Sequence, residues 1–398
     1  MKVYDFLSGK LNLAASTPIS KEKALEYVPM LRPEGLLGGV LYFDAQFDDA
    51  RLALTLARTL LDLGGTLINY VPVTGLLKNN ARVSGVKALN SETGETFELH
   101  AKVIVNATGV YVDAVRQMDD PNSSKMVSPS QGSHLIVDRS FLAGDHALMI
   151  PKTDDGRVLF AVPWHEKVIL GTTDNAVDTL DLEPKPKDEE IDFILRTAGR
   201  YLTRKPTRDD VRASYAGLRP LVKSDSASST KQLSRDHTIR ISESGLITIT
   251  GGKWTTYRKM GEDVINRALE VGNLGVTASK TENLKLHGHS ISTQAEPFQV
   301  YGSDSSAVKA LPGHDIKLHA RLPHVEAQVR YAARFELART VEDILSRRTR
   351  ALLLDAKASL EAAPRVAQIL VEELGYSKDW VNSQLEQYKQ LCAGYILS

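Results

Sequence analysis

Cysteine is almost absent from this sequence: Cys392 is the single one in 398 residues. No internal disulfide can form, so the stapled small-domain classes are excluded and a reducing compartment is expected. Long apolar runs are missing too; none approaches the ~20 residues that cross a bilayer. The N-terminus does not show the charged-then-apolar order of a secretory leader. Net charge is also lacking, with 49 Lys plus Arg against 49 Asp plus Glu. That balance argues against nucleic acid as a partner, but it leaves room for a local basic pocket that takes a small anion. The expectation is a cytoplasmic protein, with peripheral contact to the inner face of the cell membrane left open.

What is present is enough chain for two or three domains, 42% hydrophobic and 25% charged. Residues 1–35 read as short helices and loops, followed by a strand at Gly38–Phe43. Asp48 is placed to cap a helix carrying Leu52, Leu56, Leu60 and Leu63, which Gly64-Gly65 ends. Leu67–Tyr70, Val73–Lys78, Val83–Asn90 and Thr96–Leu99 read as strands of a meander, and Lys102–Asn106 as an apolar strand. Residues 125–250 are strand-rich, with a helix over Glu189–Leu202 and a hairpin around Ser244-Gly245. Gly251-Gly252 opens a helix to about Val271, residues 272–305 read as linker, and the remainder is helical.

Four short motifs carry chemistry. Val103–Gly109 is an apolar strand ending in Ala107-Thr108-Gly109, and small residues at a strand end let a ligand approach the backbone. Alone, a strand simply ending in a turn explains it equally well. Gly251–Lys259 opens a helix whose first N–H groups lack partners and can hold an anionic atom, with Lys253 adding charge; a capped helix with a solvated lysine is the plainer alternative. Arg219 and Arg235 present forks suited to phosphate, although single arginines more often form surface ion pairs. His134, in Gln131-Gly132-Ser133-His134, opens an apolar strand where it could serve as a general base or as a satisfied structural histidine.

The order of the motifs is more telling than any one of them. Asn106–Gly109, Gly132–His134, Gly171–Asp174, Gly217–Pro220, Ser234–Asp236 and Gly251–Lys259 follow one another as in FAD-dependent glycerol-3-phosphate dehydrogenases. Tyr4–Leu7, Phe47–Leu52, Thr340–Leu345 and Arg347–Arg350 also resemble that family, so the resemblance covers nearly the whole chain. It implies an α/β plus α fold: an incomplete glutathione-reductase-type FAD-binding domain, a β-rich substrate domain and a C-terminal helical domain. The corresponding boundaries are 1–125 for the remainder of the FAD-binding domain and 126–250 for the substrate domain. A helix at 251–275 returns to the FAD domain, 276–305 is a linker, and 306–398 is helical. The implied reaction oxidises sn-glycerol 3-phosphate to dihydroxyacetone phosphate, with electrons passing through FAD to a quinone or oxygen. By the same resemblance, His134 and Lys253 are catalytic and Arg219 and Arg235 bind substrate. Val73, Ala107, Thr108, Gly109, Gly252, Lys253, Trp254 and Thr255 contact the cofactor.

One departure is large. The sequence contains no Gly-x-Gly-x-x-Gly turn, the element that holds the cofactor pyrophosphate. FAD is therefore expected to bind weakly or not at all to this chain. Two other readings stand beside the enzyme: another FAD-dependent amine- or hydroxy-acid-oxidising protein, and a catalytically silent interaction fragment. The C-terminal helices are expected to form a separate layer with little part in hydride transfer. Arg347–Arg350 reads there as a solvated face with local ion pairs, or else as a contact for anionic lipid.

Overall fold

The computed structural model describes residues 13–151, 153–154, 156–223, 236–291 and 294–397. The Tyr4–Leu7 segment and Arg235 lie outside the described residues. Thr17–Ser20 (β1) and Gly38–Leu41 (β2) pair antiparallel around helix Lys21–Tyr27 (α1). Asp48 caps helix Asp49–Asp62 (α2) as its sequence position suggests, its carboxylate accepting from the Arg51 backbone N–H at 3.0 Å. Val73–Asn79 (β3), Arg82–Leu89 (β4) and Thr96–His100 (β5) form the expected meander.

Leu67–Tyr70 is not a strand. A strand needs a neighbour along its ladder; here the Tyr70 carbonyl accepts from the Ser91 backbone N–H at 2.9 Å, but Tyr70 itself turns out of the extended conformation with φ of +57°. The segment's side chains turn to the C-terminal region, where the Asn69 amide donates to the Leu337 carbonyl at 2.8 Å and the Tyr70 hydroxyl to Asp343 at 2.7 Å. Similarly, only Val105–Asn106 (β6) of the apolar run 102–106 enters a ladder. Helix Val112–Asp119 (α3) follows.

The largest sheet is built on the long strand Val127–Asp138 (β7). Its other strands are Leu148–Ile150 (β8), Leu159–Trp164 (β9), Lys167–Gly171 (β10), Asn175–Ala176 (β11) and Val211–Val222 (β12), with helix Asp188–Tyr201 (α4) between the last two. Alternation along β7 sends Leu135 and Val137 to one face, where they pack with Ile191, Ile194 and Ala198 of α4. Ile136 goes to the other face and joins Ala213 of β12 in a core shared with the C-terminal helices. His237–Ile241 (β13) and Ile247–Gly251 (β14) form the expected hairpin, with β14 parallel to β6. A 3₁₀ turn at Trp254–Thr256 leads into helix Tyr257–Gly272 (α5), whose Val264 and Ala268 pack on Ile247 and Ile249.

The C-terminal part comprises helices Ser305–Lys309 (α6), Glu326–Phe335 (α7), Ala351–Leu354 (α8), Ala356–Leu374 (α9) and Lys378–Ala393 (α10), with a π-helical turn at Asp343–Arg348. No helix among the described residues is long and apolar enough to cross a membrane. This helical part packs directly on the large sheet, sharing a core with its Ile136 and Ala213. Arg347–Arg350 has the expected local ion pairs, but only Arg347 is much exposed. Arg348 is buried between Asp343 (3.1 Å) and the Glu336 carbonyl (2.7 Å), Arg347 pairs with Glu342 and Asp343, and Arg350 reaches across to Asp49 at 3.0 Å. Glu342 and Asp343 are local partners on the same turn, but the Glu336 carbonyl and Asp49 lie on other elements, which spacing along one helix does not disclose.

Candidate active site

His134, Tyr215 and Arg219 sit on one face of the paired strands β7 and β12. The register places His134 opposite Tyr215 and Ser130 opposite Arg219, so alternation brings all three side chains to the same side. The His134 and Tyr215 rings stack at 5.2 Å between centroids. Two glycines make the space. A Cβ at Gly171 would lie 2.3 Å from His134 Cδ2, and one at Gly132 would lie 2.3 Å from Arg219 Nη2. The imidazole and the guanidinium therefore each lie flat against a glycine backbone, which no other residue would permit.

Arg219 is anchored on the turn after β10. Its Nη2 donates to the Thr172 hydroxyl at 3.1 Å and its Nη1 to the Thr173 carbonyl at 3.3 Å, with Asp174 at 3.5 Å. The side chain remains about a third exposed, at 35%. Burial, reinforced by the Arg219 charge, pushes the His134 pKa down to about 4, while Asp49 acts in the opposite direction. His134 is thus a neutral imidazole at neutral pH, in the protonation state that can accept a proton. Burial also raises the Tyr215 phenol to about 12, so it stays protonated.

Gly251-Gly252, with φ of +80° and +74°, turns the end of β14 toward this site. A Cβ at Gly251 would meet Val222 of β12 at 2.6 Å, which fixes the turn beside the end of the strand that carries Arg219. Lys253, Trp254 and Thr255 are exposed. The Trp254 indole donates to the Asp49 carbonyl at 3.3 Å, tying the turn to the start of α2. On its other side, Thr250 donates to the Gly109 carbonyl at 3.2 Å, which joins the turn to the exposed Ala107-Thr108 segment. The buried Asn106 shapes that segment, accepting from the Thr108 hydroxyl at 2.8 Å and donating to the Val112 carbonyl at 2.9 Å. Val73 opens β3 and is 38% exposed.

The structure therefore brings His134 and Arg219 to one face of the β7–β12 pair, sets the Gly251-Gly252 turn beside the end of β12, and joins the 107–109 segment to that turn. The sequence assigns no role in this site to Tyr215, Thr172, Thr173, Asp49 or Arg350, although all but Tyr215 lie inside the resembling segments. Thr172 and Thr173 lie in the Gly171–Asp174 motif, so the motif order was their only signal. Arg350 arrives from the far end of the chain, 301 residues after its partner Asp49.

A family model described as "FAD dependent oxidoreductase" matches residues 1–258, and one described as "C-terminal domain of alpha-glycerophosphate oxidase" matches residues 247–380. The mitochondrial glycerol-3-phosphate dehydrogenase SDP6 of Arabidopsis thaliana is 35% identical over 98% of this chain and 68% of its own length. The chain belongs to the FAD-dependent glycerol-3-phosphate dehydrogenase family. The mitochondrial glycerol-3-phosphate dehydrogenase of Homo sapiens is 37% identical, over 97% of this chain and 57% of its own length. The chain thus spans less than two thirds of the length of the animal relatives it matches. The crystal structure of the glycerol-3-phosphate dehydrogenase from Bacillus halodurans complexed with FAD superposes with a TM-score of 0.81 at 29% identity. That match covers 96% of this chain and 80% of the other. The α/β oxidoreductase fold with a C-terminal helical part is the family's.

Family membership makes FAD the cofactor. On the flavin side the residues fit it: the 107–109 and 252–255 segments are joined, largely exposed and adjacent to the His134–Arg219 face. The Gly-rich turn that would hold the pyrophosphate is not in the 398-residue sequence.

Proposed function

We propose that this chain oxidises sn-glycerol 3-phosphate to dihydroxyacetone phosphate. The observation that carries the reading is Arg219, a guanidinium anchored by Thr172 and Thr173 and still about a third exposed, on the same sheet face as a neutral, half-buried histidine. An alcohol gives up hydride only as its O–H proton leaves, so it needs a base near the carbinol and a clamp on the remote anion. Arg219 holds the phosphate, with Arg235 assigned beside it from the family pattern. His134 Nε2 or Nδ1 takes the hydroxyl proton, and the Lys253 ammonium favours the developing alkoxide. Bound FAD supplies the hydride acceptor, with onward transfer to a quinone or oxygen. Ala107, Thr108, Gly109, Gly252, Trp254 and Thr255 hold its flavin end, with Val73 assigned to the same cofactor. The anion clamp favours this substrate over the uncharged amines of other flavoprotein oxidases.

These 398 residues are expected to retain FAD weakly, because the pyrophosphate-cradling turn is not among them. One FAD per chain surviving gel filtration would overturn that expectation. The substrate assignment is tested by dye-linked oxidation with FAD in excess. sn-Glycerol 3-phosphate should be preferred over glycerol, and Arg219→Ala should cost about 10- to 100-fold in kcat/KM, since a hydrogen bond to a charged group contributes ~1.5–3 kcal/mol. Equal rates for the two substrates would remove the phosphate from the reading.

A further inference from the structure

Glu190 lies in the first turn of α4, on the face of the large sheet opposite His134 and Arg219. It is 4% exposed. Its two carboxylate oxygens accept five hydrogen bonds. Oε2 takes the Gln131 amide (2.8 Å), the Ser133 hydroxyl (2.9 Å) and the Lys187 backbone N–H (2.9 Å). Oε1 takes the Thr173 hydroxyl (2.6 Å) and the Asn175 amide (2.7 Å). A capped helix needs only one of these; the Lys187 N–H is the capping bond, and the other four go to the sheet. All four come from segments that border the site: Gln131 and Ser133 from β7, Thr173 from the turn after β10, and Asn175 from β11. A carboxylate buried with five donors is expensive to remove, because each donor would be left unpaired in a low-dielectric interior.

Thr173 connects this network to Arg219. Its hydroxyl also accepts from the Ser133 backbone N–H at 2.9 Å. That N–H can only donate, so the threonine's own proton must point to Glu190, and the rotamer is fixed. The carbonyl of the same Thr173 accepts from both Arg219 Nη1 (3.3 Å) and the Thr172 hydroxyl (3.0 Å), and the Thr172 oxygen in turn accepts from Arg219 Nη2 (3.1 Å). We propose that Glu190 is a positioning residue for anion recognition, acting across the sheet through Thr173 to aim the Arg219 guanidinium. This rests on the reading of Arg219 as the phosphate clamp. A glutamine at 190 replaces one acceptor oxygen by an NH₂ that faces donors, so the turn must shift and the guanidinium loses its fixed direction.

The test is calorimetric titration of the 398-residue chain with sn-glycerol 3-phosphate and with inorganic phosphate. It needs no turnover. Glu190→Gln and, independently, Thr173→Val should each weaken binding by about tenfold or more, as expected for a misdirected charge-assisted bond. Thr173→Ser, which restores the hydroxyl, should recover the wild-type constant. Thermal melts of the same proteins separate positioning from folding: Thr173→Val should lose affinity at a titration temperature well below its melting temperature, where it is fully folded. A folded Thr173→Val chain that binds as wild type overturns the role of Glu190. Failure of the wild-type chain to bind either anion would instead overturn the phosphate reading itself, and the Glu190 assignment with it.

Discussion

At the scale of single residues, His134 is the group whose environment is least ordinary. It is pressed against Gly171, stacked on Tyr215 and within the field of Arg219, and burial takes its pKa to about 4. A free histidine loses its basic form below about 6.5; this one keeps it well below that. The acid limb of kcat/KM, which reports the free enzyme, should accordingly fall nearer 4 than 6.5. His134→Ala should remove that limb and lower kcat by about 10²- to 10⁴-fold, the usual worth of a positioned base. FAD content should not change, because His134 faces the substrate side. An intact acid limb at near-normal kcat would make His134 a packing residue.

At the scale of elements, α2 is where the two halves of the chain are pinned. Arg51 and Glu336 meet at 2.7 Å with side chains only 11% and 2% exposed, and the Arg51 guanidinium also lies 4.7 Å over the Tyr301 ring. Arg51 Nε and Nη1 and Glu336 Oε2 have no hydrogen-bond partner among the described residues. Breaking such a pair strands a buried charge. Glu336→Leu alone should cost about 3–5 kcal/mol, whereas Arg51→Met with Glu336→Leu should cost much less. A double-mutant cycle on denaturant midpoints measures the difference, and additive losses would show that the pair is not coupled. The Asp48 cap and the leucine spacing that define α2 were legible in the sequence, and so were the meander and the β13–β14 hairpin, because each is decided within about 20 residues of chain. What α2 docks against was not legible. Arg51 reads as one more helical arginine until Glu336, 285 residues later, is seen beside it. The same limit hid Thr173 and Glu190. The order of motifs pointed to their neighbourhood, but the five-donor carboxylate exists only once β7, the turn after β10 and α4 are stacked.

At the scale of the whole molecule, acid is the condition to which this architecture is most exposed. His324 is 4% exposed in the C-terminal region, hydrogen-bonded at the Thr349 backbone, and its Nδ1 has no partner among the described residues. Burial, with the nearby His165, takes its pKa down to about 3. In the unfolded chain the same ring protonates near 6.5, so between those values the unfolded state binds the proton and the folded state does not. Stability must then rise with pH across that window, and fall as pH drops from about 6.5 toward 3. His134 acts in the same direction down to about 4. Below that, carboxylates held low by their partners, among them Asp138 at about 2 through Arg212 and Lys167, continue the loss. One histidine held neutral from pH 6.5 to 4 is worth at most ~3 kcal/mol. His324→Gln keeps a donor for Thr349 but cannot titrate. Melting temperatures of the two proteins, compared from pH 7.5 to 4, should therefore converge on acidification: the variant begins lower at neutral pH and loses less between 6.5 and 4. Parallel curves through that interval would mean that His324 is protonated in the folded protein, and would move the acid sensitivity to the carboxylates alone.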